Sequence, residues 1–187
     1  KREVQYIDPK DNKREKTEAC APVQQEMKDG WYAVFENTSY DESVTVSGNV
    51  NLVLVNGKTL RAKAGIFVPK GSKLTIWGQK GNQGKLKAIA KEDGYAGIGG
   101  ILNKDAGTIV INGGDIFASG AGMQRTEYYG FEGSATFGVS GAGIGGGHRG
   151  AFTAIEINGG IVDAFGAIRS AGIGGGNMSI LNGPTIT

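Results

Sequence analysis

The chain has one cysteine, one histidine and four prolines in 187 residues. Cys20 alone cannot form an internal disulfide, and it is expected to be a buried small hydrophobe rather than a reactive thiol. His148 alone cannot supply a zinc site, which needs further His or Cys ligands. Nor does it make a triad, since Cys20 lies far along the chain and no orienting group is near. His148 is expected at an exposed corner. Four prolines and no Gly-X-Y period exclude collagen. No run approaches the ~18 apolar residues of a membrane span, so no membrane insertion is expected. The net charge of +2 lacks the clustered basic face of a nucleic-acid binder. Nothing calls for a cofactor or a metal. The chain begins at Lys1 without Met or a signal peptide, which reads as a processed or trimmed fragment.

What the chain has is glycine, 34 of 187 residues against a usual ~7%. The hydrophobic share of 39% is enough to fold, so the glycines read as structure rather than disorder. They recur in a phrase. Gly141-Ala142-Gly143-Ile144-Gly145-Gly146-Gly147 returns as Ser170-Ala171-Gly172-Ile173-Gly174-Gly175-Gly176, and an earlier copy is Tyr95-Ala96-Gly97-Ile98-Gly99-Gly100. Each is followed by a short β-type run ending in Asn-Gly, at 108–114, 154–160 and 179–183. Ala142 and Ala171 are 29 residues apart, whereas Ala96 and Ala142 are 46 apart. The unit is therefore about 29 residues, and one copy carries an insertion at about 123–139. Aligned on Asn-Gly, residues 53–62 match 109–118 and 155–164.

A repeat of short strands at this period predicts a solenoid, because one unit cannot cover its own apolar face and stacked units can. The expected fold is all-β, a single-stranded right-handed parallel β-helix. Residues 1–43, charged and almost free of glycine, form an N-terminal cap, and residues 44–187 form the coils, all in one domain. Ile109 and Ile111, like Ile155 and Ile157, should point inward, with Glu156 outward. The alternative is an antiparallel β-sandwich, since Asn-Gly between apolar runs is also a hairpin signal. The corner asparagines read either as an inward amide ladder, hydrogen-bonded from coil to coil, or as residues that tolerate a left-handed backbone. The last residues carry no recognisable cap. The chain is therefore expected to continue or to pair its open C-terminal edge with another copy.

From about Gly30 onward the chain resembles a family of Gly-rich modules in large secreted and cell-surface proteins of gut-type bacteria. The residues that carry this are Gly30-Trp31-Tyr32, the run 44–54, Gly57-Lys58-Thr59-Leu60, Gly65-Ile66-Phe67-Val68-Pro69 and the run 74–79, completed by the glycine phrases. The resemblance implies a right-handed β-helix, an extracellular or surface location, and a part in adhesin-like or carbohydrate-interacting proteins. It implies no catalytic residue.

The glycine phrases are not phosphate loops, since they lack Gly-Lys-Ser/Thr and a following helix. Nor do they carry the Asp of calcium-binding β-roll repeats. Asp115, Glu127, Glu132, Glu156 and Asp163 are candidate carboxylates for glycosidic cleavage, but no pair is placed by spacing. The insertion concentrates aromatic and polar groups on a rigid scaffold, where binding often resides. Arg125, Glu127, Tyr128 and Tyr129, with Arg149 nearby, are the expected ligand contacts. The expected function is non-catalytic adhesion or glycan binding, with a glycan or host surface ligand as partner. The alternatives are a polysaccharide lyase or hydrolase, and a spacer without a site.

Overall fold

Alternating short strands and glycine corners fold into a right-handed parallel β-helix. The computed structural model describes residues 1–128, 134–180 and 184–187, with the side chains of 125, 127, 128 and 134–137 excepted. Each circuit visits three sheets in turn. The first contains β2 (Arg14–Pro22), β4 (Gly30–Ala33), β7 (Asn49–Leu54), β10 (Lys73–Gly78), β13 (Ala106–Ile111), β18 (Phe152–Ile157) and β21 (Thr185–Ile186). The second contains β5 (Thr38–Tyr40), β8 (Thr59–Ala62), β11 (Lys85–Ile89), β14 (Asp115–Ser119) and β19 (Ile161–Phe165). The third contains β3 (Glu26–Met27), β6 (Val44–Val46), β9 (Ile66–Phe67), β12 (Ile98–Gly99), β17 (Ile144–Gly145) and β20 (Ile173–Gly174). All ladders within these runs are parallel.

Two antiparallel pairs stand apart. β1 (Arg2–Asp8) pairs with β2 and forms the N-terminal cap. β15 (Gly122–Tyr128) pairs with β16 (Ser134–Ser140) as a ribbon between the second and third sheets. β3, β4 and β5 already run parallel to β6, β7 and β8, so coil structure begins within the segment before Val44.

The core is a set of columns, because parallel register places like side chains over one another. Val44, Ile66, Ile98, Ile144 and Ile173 stack on the third sheet. Leu60, Leu86, Ile116 and Val162 stack on the second. Val50, Leu74, Ile109 and Ile155 stack on the first. Ile109, Ile111 and Ile155 are fully buried and Ile157 is half-buried. Each fully buried Leu or Ile contributes about 1.5–3 kcal/mol relative to an exposed one.

The glycine phrase makes a close approach between coils. Gly145 has φ of 129°, and a Cβ there would run into the carbonyl of Gly174 in the next coil. No other residue fits there, which accounts for glycine at this position in β12 and β17, whereas the earlier coils carry Thr45 and Phe67 in the same stack.

The strands hold register while the corners vary in length. Successive steps down the third-sheet column are 22 residues from Val44 to Ile66, 32 to Ile98, 46 to Ile144 and 29 to Ile173. A constant unit of about 29 therefore describes only the last step. The Asn-Gly alignment holds after the corner, where Leu60, Leu86 and Ile116 stack. Before the corner it is three residues out, since Ile109 stacks through Leu74 on Val50 rather than on Val53. Corners face solvent and can change length without disturbing the core.

At the C-terminal end the sheets finish on β19, β20 and β21, and Ile161, Phe165, Ile180 and Ile186 are exposed.

Candidate functional site

The cap does more than close an end. Alternation along β1 buries Val4 and Tyr6 on one face. That face lies across the outside of the first sheet, where the outward residues Trp31, Asn51, Thr75, Val110 and Glu156 form a column. Tyr6 packs against Trp31 and Trp77 with ring centroids 4.9 and 4.8 Å away, and the two indoles stack at 5.7 Å. Aromatic pairs at such spacings add about 0.5–1.5 kcal/mol beyond area burial. Trp77 donates its Nε1–H to Asn51 Oδ1 at 3.0 Å, and Gln79 Nε2 donates to the Gln5 carbonyl at 2.9 Å. Farther along, Lys10 forms an ion pair with Glu156. The hairpin is thus a strap running across the coils.

Between the strap's tip and the corners joining the first and second sheets lies a groove of about 470 Å³. This is within the ~300–1,000 Å³ range of small-molecule sites. Ile7 and Pro9 supply an apolar wall, and Lys13 and Glu15 bring charge from the strap. The opposite wall is built from Lys80, the amides of Gln79, Asn82, Asn112 and Asn158, and the backbone of Gly159 and Gly160.

The amides are held by one another and by the backbone. Asn158 Nδ2 donates to Asn112 Oδ1 at 2.7 Å, from one coil to the next. Asn82 Oδ1 accepts the Gly114 N–H at 3.0 Å. Gln79 Oε1 accepts the Asn56 N–H at 2.9 Å, and Asn56 Oδ1 accepts the Gln83 N–H at 3.0 Å. Asn56, Asn112 and Asn158 do not have positive φ; the left-handed residues of these corners are Gly57, Asn82, Gly114 and Gly160, with Gly81 beside Asn82. Asn112 and Asn158 bond from coil to coil as a ladder would, but on the groove rather than inward, and the left-handed reading fails for them. The amides were legible as corner residues, but their convergence on the strap was not.

Residues 155–177 match a family model described as a beta helix repeat. The match covers one circuit, from β18 through β19 to β20. No curated protein and no solved structure matches the chain. What these comparisons add is the repeat class, in agreement with the stacked ladders.

The expected ligand contacts fall elsewhere. Arg125, Glu127 and Tyr128 lie on β15, where Arg125 pairs in register with Phe137, Glu127 with Ala135 and Tyr128 with Ser134. Tyr129 and Glu132 lie outside the described residues. Arg149 is exposed on a corner with φ of 55°. It lines a second depression of about 690 Å³ with Lys70, Asp105, Phe152 and Met178.

Two expectations from single residues divide. Cys20 is fully buried, and burial pushes its thiol up to about 11, so it is held as the thiol. His148, expected on an exposed corner, is 4% exposed. Its backbone is stitched to Gly94 and Asn103 of the preceding coil, and the Asn177 segment of the following coil also packs there. Neighbouring coils bury a residue that the local sequence places at a turn.

The carboxylates are dispersed. Asp115 pairs with Lys85, Asp105 with Lys70 and Glu156 with Lys10. The strap covers Glu156, which was expected in open solvent, to 27% side-chain exposure. No cluster of three or more His, Cys, Asp or Glu that could hold a metal occurs among the described residues.

Proposed function

We propose that this chain is a non-catalytic glycan-binding module of a bacterial surface or secreted protein, with the groove between strap and corner as its site. The observation that carries this is the ladder of fixed amides facing an apolar wall. A sugar offers hydroxyls on its rim and C–H groups on its faces, so it is matched by oriented amides on one side and Ile7 and Pro9 on the other. Preorganised amides bind without first losing rotamer freedom. Among the described residues Glu15 is the one carboxylate lining the groove, and glycosidic cleavage employs two flanking carboxyl groups. The surface location follows from the family resemblance.

The test is a glycan array followed by NMR titration of the labelled chain with the hits. Binding in the groove shifts the amide signals of Gly81, Asn82, Gly159 and Gly160 and leaves those of Leu86 and Ala88 on the second sheet in place. Chromatography of the glycan after incubation shows it intact. An array without hits, or cleaved product, overturns the reading. Shifts confined to 122–140 move the site to the inserted ribbon.

A further inference from the structure

The amides of the groove are oriented, and their orientation selects the ligand's chemistry. A backbone N–H needs an acceptor, so the Gly114 N–H holds Asn82 with Oδ1 toward the backbone. The Nδ2 of Asn82 is then the end that remains. Asn112 is fixed likewise, because its Oδ1 accepts from Asn158. Neither Nδ2 meets an acceptor among the described residues. An amide whose oxygen is engaged offers only donors.

The backbone adds to this. Gly160 lies against Gly113 and Gly114 of the coil before, and Gly159 against Asn112. The Gly114 N–H is capped by Asn82, but no acceptor among the described residues meets the N–H of Gly159 or Gly160. Gly160 has φ of 96° while Gly159 does not have positive φ. Free backbone N–H groups that sit side by side on a groove are donors an anion can use. Lys13 and Lys80 stand on the same groove without an ion-pair partner among the described residues. Against these donors the side chains supply Glu15 and Asn158 Oδ1.

We propose that the groove selects a glycan bearing an oxyanion, a uronate carboxylate or a sulfate ester, seated on the Gly159 and Gly160 N–H groups with Asn82 and Asn112 beside it. This rests on the glycan reading above and narrows its ligand. A neutral sugar hydroxyl both donates and accepts, so donor-only partners leave its O–H without an acceptor. An oxyanion accepts only, and charge-assisted hydrogen bonds to it are about twice as strong as neutral ones.

The test is calorimetry with three tetrasaccharides of equal length: a glucuronan fragment, a sulfated galactan fragment and a neutral glucan. An acidic probe should bind at least about tenfold tighter than the neutral one, equivalent to ~1.4 kcal/mol. Raising salt should weaken that preference, since the lysines are exposed. Asn82→Asp keeps the oxygen that caps Gly114 and tolerates the left-handed backbone, but replaces the donor with an acceptor. It should lower acidic-probe affinity about tenfold, again ~1.4 kcal/mol, and lower neutral-probe affinity by less, so that the preference for the acidic probe narrows. Lys80→Gln, at an exposed position, should reduce the salt dependence with the melting temperature unaltered. Whichever acidic probe binds tighter identifies the oxyanion. Equal affinity for all three probes overturns the oxyanion proposal and leaves the glycan reading standing. Binding of none overturns both.

Discussion

His148 shows how a single side chain can report on the packing around it. Burial holds its imidazole below the ordinary value of 6.5, and the charge of Arg149 pushes the same way. Its Nδ1 is buried without a partner among the described residues, and although a hydrogen bond to the Asn177 backbone favours the protonated ring, burial and Arg149 outweigh it. The unfolded chain takes up that proton more readily than the folded one. Stability is therefore full above about 6.5 and declines as pH falls from there toward the folded pKa. Asp8, Asp41, Asp105 and Glu156 are all held below their ordinary values, chiefly by lysines and, for Asp105, first by the Ala151 N–H. Their stabilising effect is present above ordinary carboxylate values of 3.8 to 4.5 and is lost only below that range. The window between pH 7 and 5 therefore isolates the histidine. Urea unfolding across it should show stability falling with pH in the wild type and a flatter profile in His148→Leu. An equal slope in both would mean that the ring is not buried in solution.

At the scale of elements, the strap and the coils are held by different means. The coils share continuous columns of Ile, Leu and Val. The strap shares a separate small cluster of Val4, Tyr6, Cys20, Ala33 and Val53 with Trp31 and Trp77. Its parallel pairing to the sheet is confined to Ala21 with Tyr32 and Pro22 with Ala33. The Lys10–Glu156 pair is largely exposed at the lysine and adds at most ~1 kcal/mol. Tyr6 is thus the main anchor, and truncating a large buried aromatic costs about 3–5 kcal/mol. Hydrogen exchange of Tyr6→Ala should lose protection across residues 2–20 and keep it at Leu74, Ile109 and Ile155. Glycan affinity should fall with it, because the groove loses a wall. Uniform loss of protection would show that strap and coils unfold as one unit. The strap's position was hidden from the sequence because its contacts are remote. Gln5 meets Gln79, and Lys10 meets Glu156.

For the whole molecule, the inserted ribbon is the clearest separable part. Among the described residues β15 and β16 pair only with each other, while the ladders on either side, β12 with β17 and β14 with β19, keep register across the insertion. Replacing residues 124–137 by a short turn, with Gly138 and Ser140 kept for their bonds to Asn177, should leave the far-UV circular dichroism of the coils in place. Melting should shift by only a few degrees, about 1 kcal/mol in a domain of this size. Groove binding should survive. Loss of binding in a folded variant would return the site to the ribbon, where Arg125 and Glu127 lie.

The sequence by itself determined the repeat and hence the fold. A glycine phrase that only glycine can satisfy, and strands that alternate Ile with polar residues, have one economical solution when copied along a chain. It also located the ribbon, because self-similarity stops there. Its period was less informative, since register is held by interior columns while solvent-facing corners lengthen freely. Tertiary structure alone decided what meets at the groove. Asn82, Asn112 and Asn158 come from three corners, and Lys13 and Glu15 from the strap. Residues so far apart are brought together by coil stacking and by Tyr6 finding two tryptophans. Local sequence carries no trace of either. The same cause buried His148, since a turn residue in one coil is an interior residue once its neighbours stack upon it.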